Sequence, residues 1–345
     1  MSERVLTEQE LNRALLARQL LLERSRTTLA RALEQVGGLQ TQYAPSGYIG
    51  LWSRVEGFQR EDLTRALERR RVVQGTLMRI TIHTVSARDY WPFALALRQA
   101  RRDSWLRQRR LRADPGRMEA VAERLRGALA DGPRPRAELD AGLDSLEWNG
   151  AGLWLDLVRA PPSGTWERRR ADRYALAEDW LGPPEGLRPE DGVELLVRRY
   201  LGGFGPAPAA DVANWAGLAV AEIAAAAGRL RLRRFRDERG RELVDLPRAP
   251  LPDPQTPAPV RFLPVWDATL LAHARRTGIL PERFRPFVFS TKTPQSVGTF
   301  LVDGRVAGTW TYARDRVAFE PFEPLPPAVR REVEDEAERL AAFHA

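Results

Sequence analysis

The sequence predicts an α+β protein built from three tandem winged-helix modules and closed by a C-terminal α/β segment. Two observations predict it. An outline of helices ending in a strand pair occurs three times along the chain with different residues each time. A proline-rich stretch, "PRAPLPDPQTPAPV", then separates the third outline from a segment of mixed character. At 345 residues the chain is also long for one compact core, so several modules are expected.

Residues 6–95 form the first expected module. Leu11, Leu15, Leu16 and Leu20, then Leu29, Leu33 and Val36, recur at helical spacing, with a break over residues 25–28 that makes two helices. Further helices are expected over 47–55 and 60–69, and "VVQGTLMRITIHTVSA" then becomes β-branched and alternating, as a strand pair. Residues 96–182 form the second module, its regular pattern beginning near 115. Residues 118–129 are amphipathic, "GPRPRAELD" opens a short helix behind a proline turn, "WNGAGLWLDLVRA" reads as a third helix, and "GTWERRRADRYALA" alternates like a hairpin. Residues 183–246 repeat the outline with "DGVELLVRRYLGGFG", "APAADVANWAGL", "AVAEIAAAAGRL" and the hairpin "LRLRRFRDERGRELVDL".

Residues 247–260 read as an extended linker. In residues 261–345, "RFLPVWDATLLAH" is a strand followed by a helix. "GTFLVDGRVAGTW" is a hairpin whose Asp303-Gly304 pair suits a type I′ turn. The closing stretch "PAVRREVEDEAERLAAF" is a helix.

Composition narrows the chemistry. There are no cysteines, which excludes disulfides, thiolate metal sites and a cysteine nucleophile. The three histidines, His83, His273 and His344, lack ligand-like spacing, so neither a metal nor a cofactor is expected. The net charge of +8, carried almost wholly by arginine with Lys292 the sole lysine, favours a polyanionic partner, nucleic acid first. No apolar run is long enough to span a membrane and "MSERVLTEQE" lacks a signal-peptide core. The expectation is therefore a cytoplasmic, nucleoid-associated monomer that binds duplex DNA, with no membrane and no obligate protein partner.

The short stretch "LQTQY" poses the sharpest question. Gln40 and Gln42 follow a glycine pair, Gly37-Gly38, that suits a helix C-cap. Two apart in an extended segment, they aim two uncharged amides at one face. Taken alone, the triplet is compatible with a polar loop.

Other candidates are weaker. His83 would share a strand face with Arg79 and Thr81, either as a half-buried hydrogen bonder or in contact with a phosphate or an extruded nucleotide. The densest basic run, "LRQARRDSWLRQRRLR" at 97–112, fits a solvated helix face or phosphate binding. In "RLRLRRFR", one strand face would present Arg229, Arg231 and Arg233 as a DNA-contacting wing. Asp267 could be a general base but suits a helix N-cap before "ATLLAH". Trp52, Trp91, Trp154, Trp215 and Trp310 lie in apolar patterns and are expected in cores.

A winged helix by itself implies only DNA contact, usually through a helix in the major groove. The order of "LQTQYAPSGYIGLWSRV", "VVQGTLMRITIHTVSARDYW", "FLPVWDATLLAH" and "FLVDGRVAGTW" nevertheless resembles the AlkZ-type winged-helix DNA glycosylases, whose relatives include the YcaQ group. The resemblance spans residues 6 to 312. It implies winged helices around a concave DNA-binding surface and removal of alkylated N7 or N3 purines, including bulky adducts and interstrand crosslinks, in base excision repair. The family's signature is a glutamine, a spacer and a second glutamine, or an aspartate in the YcaQ branch. Gln40 and Gln42 match the AlkZ branch, while Thr41 departs mildly from its frequently apolar spacer. The resemblance thus implies catalysis by Gln40 and Gln42; Arg79, His83, Arg229, Arg231 and Arg233 are the DNA contacts expected from the strand and hairpin patterns themselves. The alternative is a winged-helix DNA-binding protein or regulator without chemistry, and the discriminating observation is whether the glutamines face a basic concave surface.

Overall fold

The structure is a computed structural model that describes residues 3–108, 114–170, 172–289 and 296–345, so Lys292 and the end of the basic run at 109–112 lie outside the described residues.

The chain mixes helices and sheets. The first helix, Glu8–Arg18, starts at a capping box in which Thr7 accepts from the Glu10 amide and Glu10 accepts from the Thr7 amide at 2.8 Å. Thr28 caps the second, Leu29–Val36, and Gly37 ends it with a left-handed φ of 77°. Helices Pro45–Trp52 and Arg60–Glu68 follow close to their expected positions. The strand pair forms as Val72–Thr76 and Ile82–Ser86.

The expected boundary at residue 95 falls inside one helix, Ala87–Gln108. Strands from both sides of it join a single six-stranded antiparallel sheet in the order Leu39–Gln40, Ile82–Ser86, Val72–Thr76, Leu157–Arg159, Arg173–Leu176, Arg134–Pro135. The first two segments are therefore continuous through hydrogen bonds rather than merely tethered. "WNGAGLWLDLVRA" does not stay helical to its end: Ser145–Trp154 is a helix and Leu157–Arg159 a strand. Of "GTWERRRADRYALA", only Arg173–Leu176 is a strand, and the loop before it carries the three arginines 168–170.

The third outline forms as helices Pro189–Phe204, Ala209–Ala216 and Val220–Gly228 with strands Arg233–Asp237 and Glu242–Asp245. Its sheet has a third member from the far end of the chain: Val5–Leu6 runs parallel to Arg236 and Asp237. The linker at 247–260 is held in place by the first helix. Arg18 donates to the Pro250 carbonyl and Arg13 to that of Thr256 at 2.7 Å.

In the last segment, strands Arg261–Leu263, Gly298–Val302, Arg305–Ala313 and Arg316–Pro321 make an antiparallel sheet. The helix expected in "ATLLAH" is reduced to the turn Ala268–Leu270. The Asp303-Gly304 turn forms, both residues at positive φ. The helix Pro327–His344 closes the chain. This segment shares one apolar core with the first: Leu33, Tyr48 and Leu63 are buried with Phe262, Phe300 and Leu340. The second segment keeps a separate core around Met118, Leu125 and Leu153.

Candidate functional site

Gln40 ends the edge strand of the six-stranded sheet, opposite His83, and Thr41 and Gln42 follow it, Gln42 in a bend. Gly38 enters it at φ 82°, and a Cβ there would meet the Val85 side chain at 2.9 Å, so glycine is required on both counts. Thr41 turns inward, wholly buried, its hydroxyl bonded to that of Thr84 at 3.0 Å and its methyl against Gly47. Gln40 is half-buried and Gln42 exposed. The polar spacer is satisfied internally.

Each amide is oriented by a group that can only donate. The Ile82 backbone N–H donates to Gln42 Oε1 at 3.1 Å, and Arg79 donates to Gln40 Oε1 at 3.4 Å. One lone pair of each carbonyl oxygen is committed, and no second donor among the described residues reaches either. Arg79 is fixed in turn by the Trp215 carbonyl at 2.8 Å, from the helix Ala209–Ala216. It sits in a tight turn rather than on a continuous strand, at φ 53°, a conformation that costs an arginine about 1–3 kcal/mol.

Gln42 opens into a cleft of about 960 Å³ between the first two segments. Five arginines line it, Arg79, Arg136, Arg159, Arg169 and Arg170, together with Tyr43, Trp148 and Tyr174, and no carboxylate among the described residues does. Arg136 pairs with Asp140 and stacks on Trp148. Arg169 reaches the Tyr43 hydroxyl at 3.3 Å and lies over Trp166. The cleft is thus a cationic, partly aromatic groove with amides at its edge, suited to an anionic polymer carrying planar groups.

The family model for the AlkZ-like DNA glycosylases matches residues 33–343. The chain belongs to the AlkZ-like DNA glycosylase family. Among solved structures it is similar to the Streptomyces sahachiroi DNA glycosylase AlkZ, at 20% identity and a TM-score of 0.82, over 99% of this chain and 97% of that one. No curated protein sequence matches it.

Within this AlkZ-like framework the remaining candidates separate. His83 is buried at 3% exposure, bonded through Nδ1 to the Thr81 carbonyl at 3.1 Å. Burial, helped by the Arg79 cation, pushes its imidazole down to about 3, so it is neutral and has neither charge nor access for a phosphate. The "RLRLRRFR" run does not present one arginine face. Arg229 ends the helix Val220–Gly228 and pairs with Glu194. Arg233 begins the strand and pairs with the buried Asp245 at 2.6 Å. Only Arg231 of the three is exposed and without an ion pair among the described residues. Asp267 is not available as a base: it caps the turn Ala268–Leu270 and chelates the fully buried Arg54 at 2.8 and 3.0 Å.

Of the tryptophans, Trp91, Trp215 and Trp310 are core and Trp52 and Trp154 half-buried. No helix among the described residues is long and apolar enough to cross a membrane, and no group of three or more acidic or histidine side chains there could hold a metal. Arg159, Arg169 and Arg170 were missed as site residues. The run of three arginines at 168–170 was the available signal, hidden by its assignment to a strand.

Proposed function

We propose that this family member is a monofunctional DNA glycosylase that removes purines alkylated at N7 or N3 by hydrolysis. The observation that carries the reading is a pair of oriented amides, Gln40 held by Arg79 and Gln42 opening into an arginine-lined cleft that no carboxylate among the described residues lines. An alkylated purine already bears positive charge and leaves readily, so no strong general acid is needed. What the site must supply is a placed water and dipoles facing the cationic sugar. The free lone pairs of the two glutamine oxygens accept the water's hydrogens. The water oxygen bonds to C1′, the N-glycosidic bond breaks with its electron pair going to the base, and the water's surplus proton passes to solvent. The product is an abasic site in an intact strand.

Three winged-helix modules around a concave surface, closed by the C-terminal segment, suit this role for a monomer working on duplex DNA. Bulky adducts and crosslinks are compatible with a cleft of this size. The decisive measurement is base release from duplex DNA carrying N7-methylguanine, N3-methyladenine or a bulky N7 adduct. Gln40→Ala or Gln42→Ala should slow release on the order of 10 to 1,000-fold with DNA binding nearly unchanged, since each loses one preorganised dipole. Full activity in the double variant removes the glutamines from the mechanism. Borohydride trapping of a protein–DNA adduct that vanishes in Lys292→Ala replaces hydrolysis with amine attack.

A further inference from the structure

Among the described residues six arginines are buried: Arg13, Arg18, Arg54, Arg101, Arg159 and Arg261. Five of them have a carboxylate within 4.0 Å, supplied by Asp303, Asp245, Asp267, Asp156 and Glu336 respectively for Arg13, Arg18, Arg54, Arg101 and Arg261. Arg159, at 7% exposure, has none, although every acidic residue of the chain lies among the described residues. Its partners are neutral: the Thr41 carbonyl at 3.3 Å and the Tyr174 hydroxyl, while its Nε has no partner.

A desolvated cation without a counter-charge costs free energy, and burial holds this guanidinium below its ordinary pKa. Such an arrangement is sustained where a ligand brings the missing charge. Arg159 lines the arginine cleft, so the ligand must come from there. The residue that anchors it, Thr41, stands between Gln40 and Gln42.

We infer that Arg159 is the binding subsite for a backbone phosphate flanking the nucleotide whose base is removed. The inference rests on the glycosylase reading for that nucleotide's identity. DNA offers no other anion, and a planar guanidinium fork matches a phosphate's oxygens. The Thr41 carbonyl that Arg159 binds is the chain neighbour of both amides, so a phosphate held there would sit beside the residue that joins them. Arg159 is a positioning residue: it fixes where C1′ stands and takes no part in bond breaking.

The test places a neutral methylphosphonate at the linkage 5′ or 3′ of a tetrahydrofuran abasic site in a duplex oligonucleotide and measures affinity. For the unaltered protein one of the two replacements should weaken binding on the order of 10-fold. In Arg159→Gln the same replacement should cost nothing further, and in Arg159→Lys part of the penalty should remain. An arginine that only props the Thr41 loop would leave the methylphosphonate penalty unchanged in Arg159→Gln, which overturns the inference. Insensitivity of the unaltered protein to both replacements also overturns it, and that arm needs no folded variant. Base release is scored separately on N7-methylguanine duplex. Absence of release with the coupling intact would sink the glycosylase reading and leave the phosphate subsite standing.

Discussion

Two arginine-rich regions of this molecule look alike in sequence and differ in what their charges face. In the 229–236 run, Arg229, Arg233, Arg234 and Arg236 are each matched by a carboxylate, from Glu194, Asp245, Glu242 and Glu3. In the cleft, Arg79, Arg159, Arg169 and Arg170 have no acidic partner among the described residues, and only Arg136 does. The first region spends its charge on ion pairs within the third hairpin and to the segments beside it. The second leaves its charge for a ligand. Density of arginine in a run therefore measures charge, while availability is set by which carboxylates the fold brings near.

Removing the shared carboxylate of the first region should have the largest effect. Asp245, fully buried, accepts from Arg18 at 2.7 and 3.1 Å as well as from Arg233. Asp245→Ala leaves two cations facing one another and is expected to destabilise by about 3–5 kcal/mol, read from chemical denaturation. A loss below about 1 kcal/mol would mean that these arginines are not structural, and the contrast would fail.

The cleft should show the reverse pattern. Arg169→Ala with Arg170→Ala is expected to weaken duplex binding on the order of 10-fold or more and to reduce the salt slope by about 2, one for each phosphate that is no longer neutralised. Arg229→Ala with Arg233→Ala should move that slope by less than about 1 while lowering the melting temperature. Affinity measured across a salt series for the two pairs settles the order, and equal slopes would erase the distinction. Arg231→Ala, exposed and without an ion pair among the described residues, should change the slope by at most about 1 without touching stability.

A smaller, pH-dependent effect sharpens the picture at the site itself. His83 titrates at its ordinary value when unfolded and near 3 when folded, so the unfolded chain binds the extra proton throughout that window. Stability attributable to its burial is present above about pH 6.5 and is lost as pH falls toward 3, at up to about 1.4 kcal/mol per unit. His83→Gln should flatten that part of the pH–stability curve. An unchanged slope would show that the ring is not held neutral in the folded protein.

Much of this was legible in the residues. Gly37-Gly38 behind helical periodicity and Asp303-Gly304 between two alternating runs are local rules, each decided within one turn of chain, and each formed as expected. The glutamine pair was legible as a pair of uncharged amides behind a helix C-cap, while its surroundings were not. "ATLLAH" misled because Asp267 is drawn to Arg54, and a chelated carboxylate caps a turn without requiring a helix behind it. The arginine runs misled for the same kind of reason: Glu194 and Asp245 come from outside "RLRLRRFR".

By itself, then, the sequence determined what depends on near neighbours: where helices start and stop, which residues alternate, and that the chain carries excess positive charge. Tertiary structure alone decided which charges are free. It joined two segments into one sheet, brought Val5–Leu6 to the third hairpin, and left Arg159 buried behind Thr41 without a carboxylate. Charge pairing acts through space between residues far apart in the chain, so no local pattern records it.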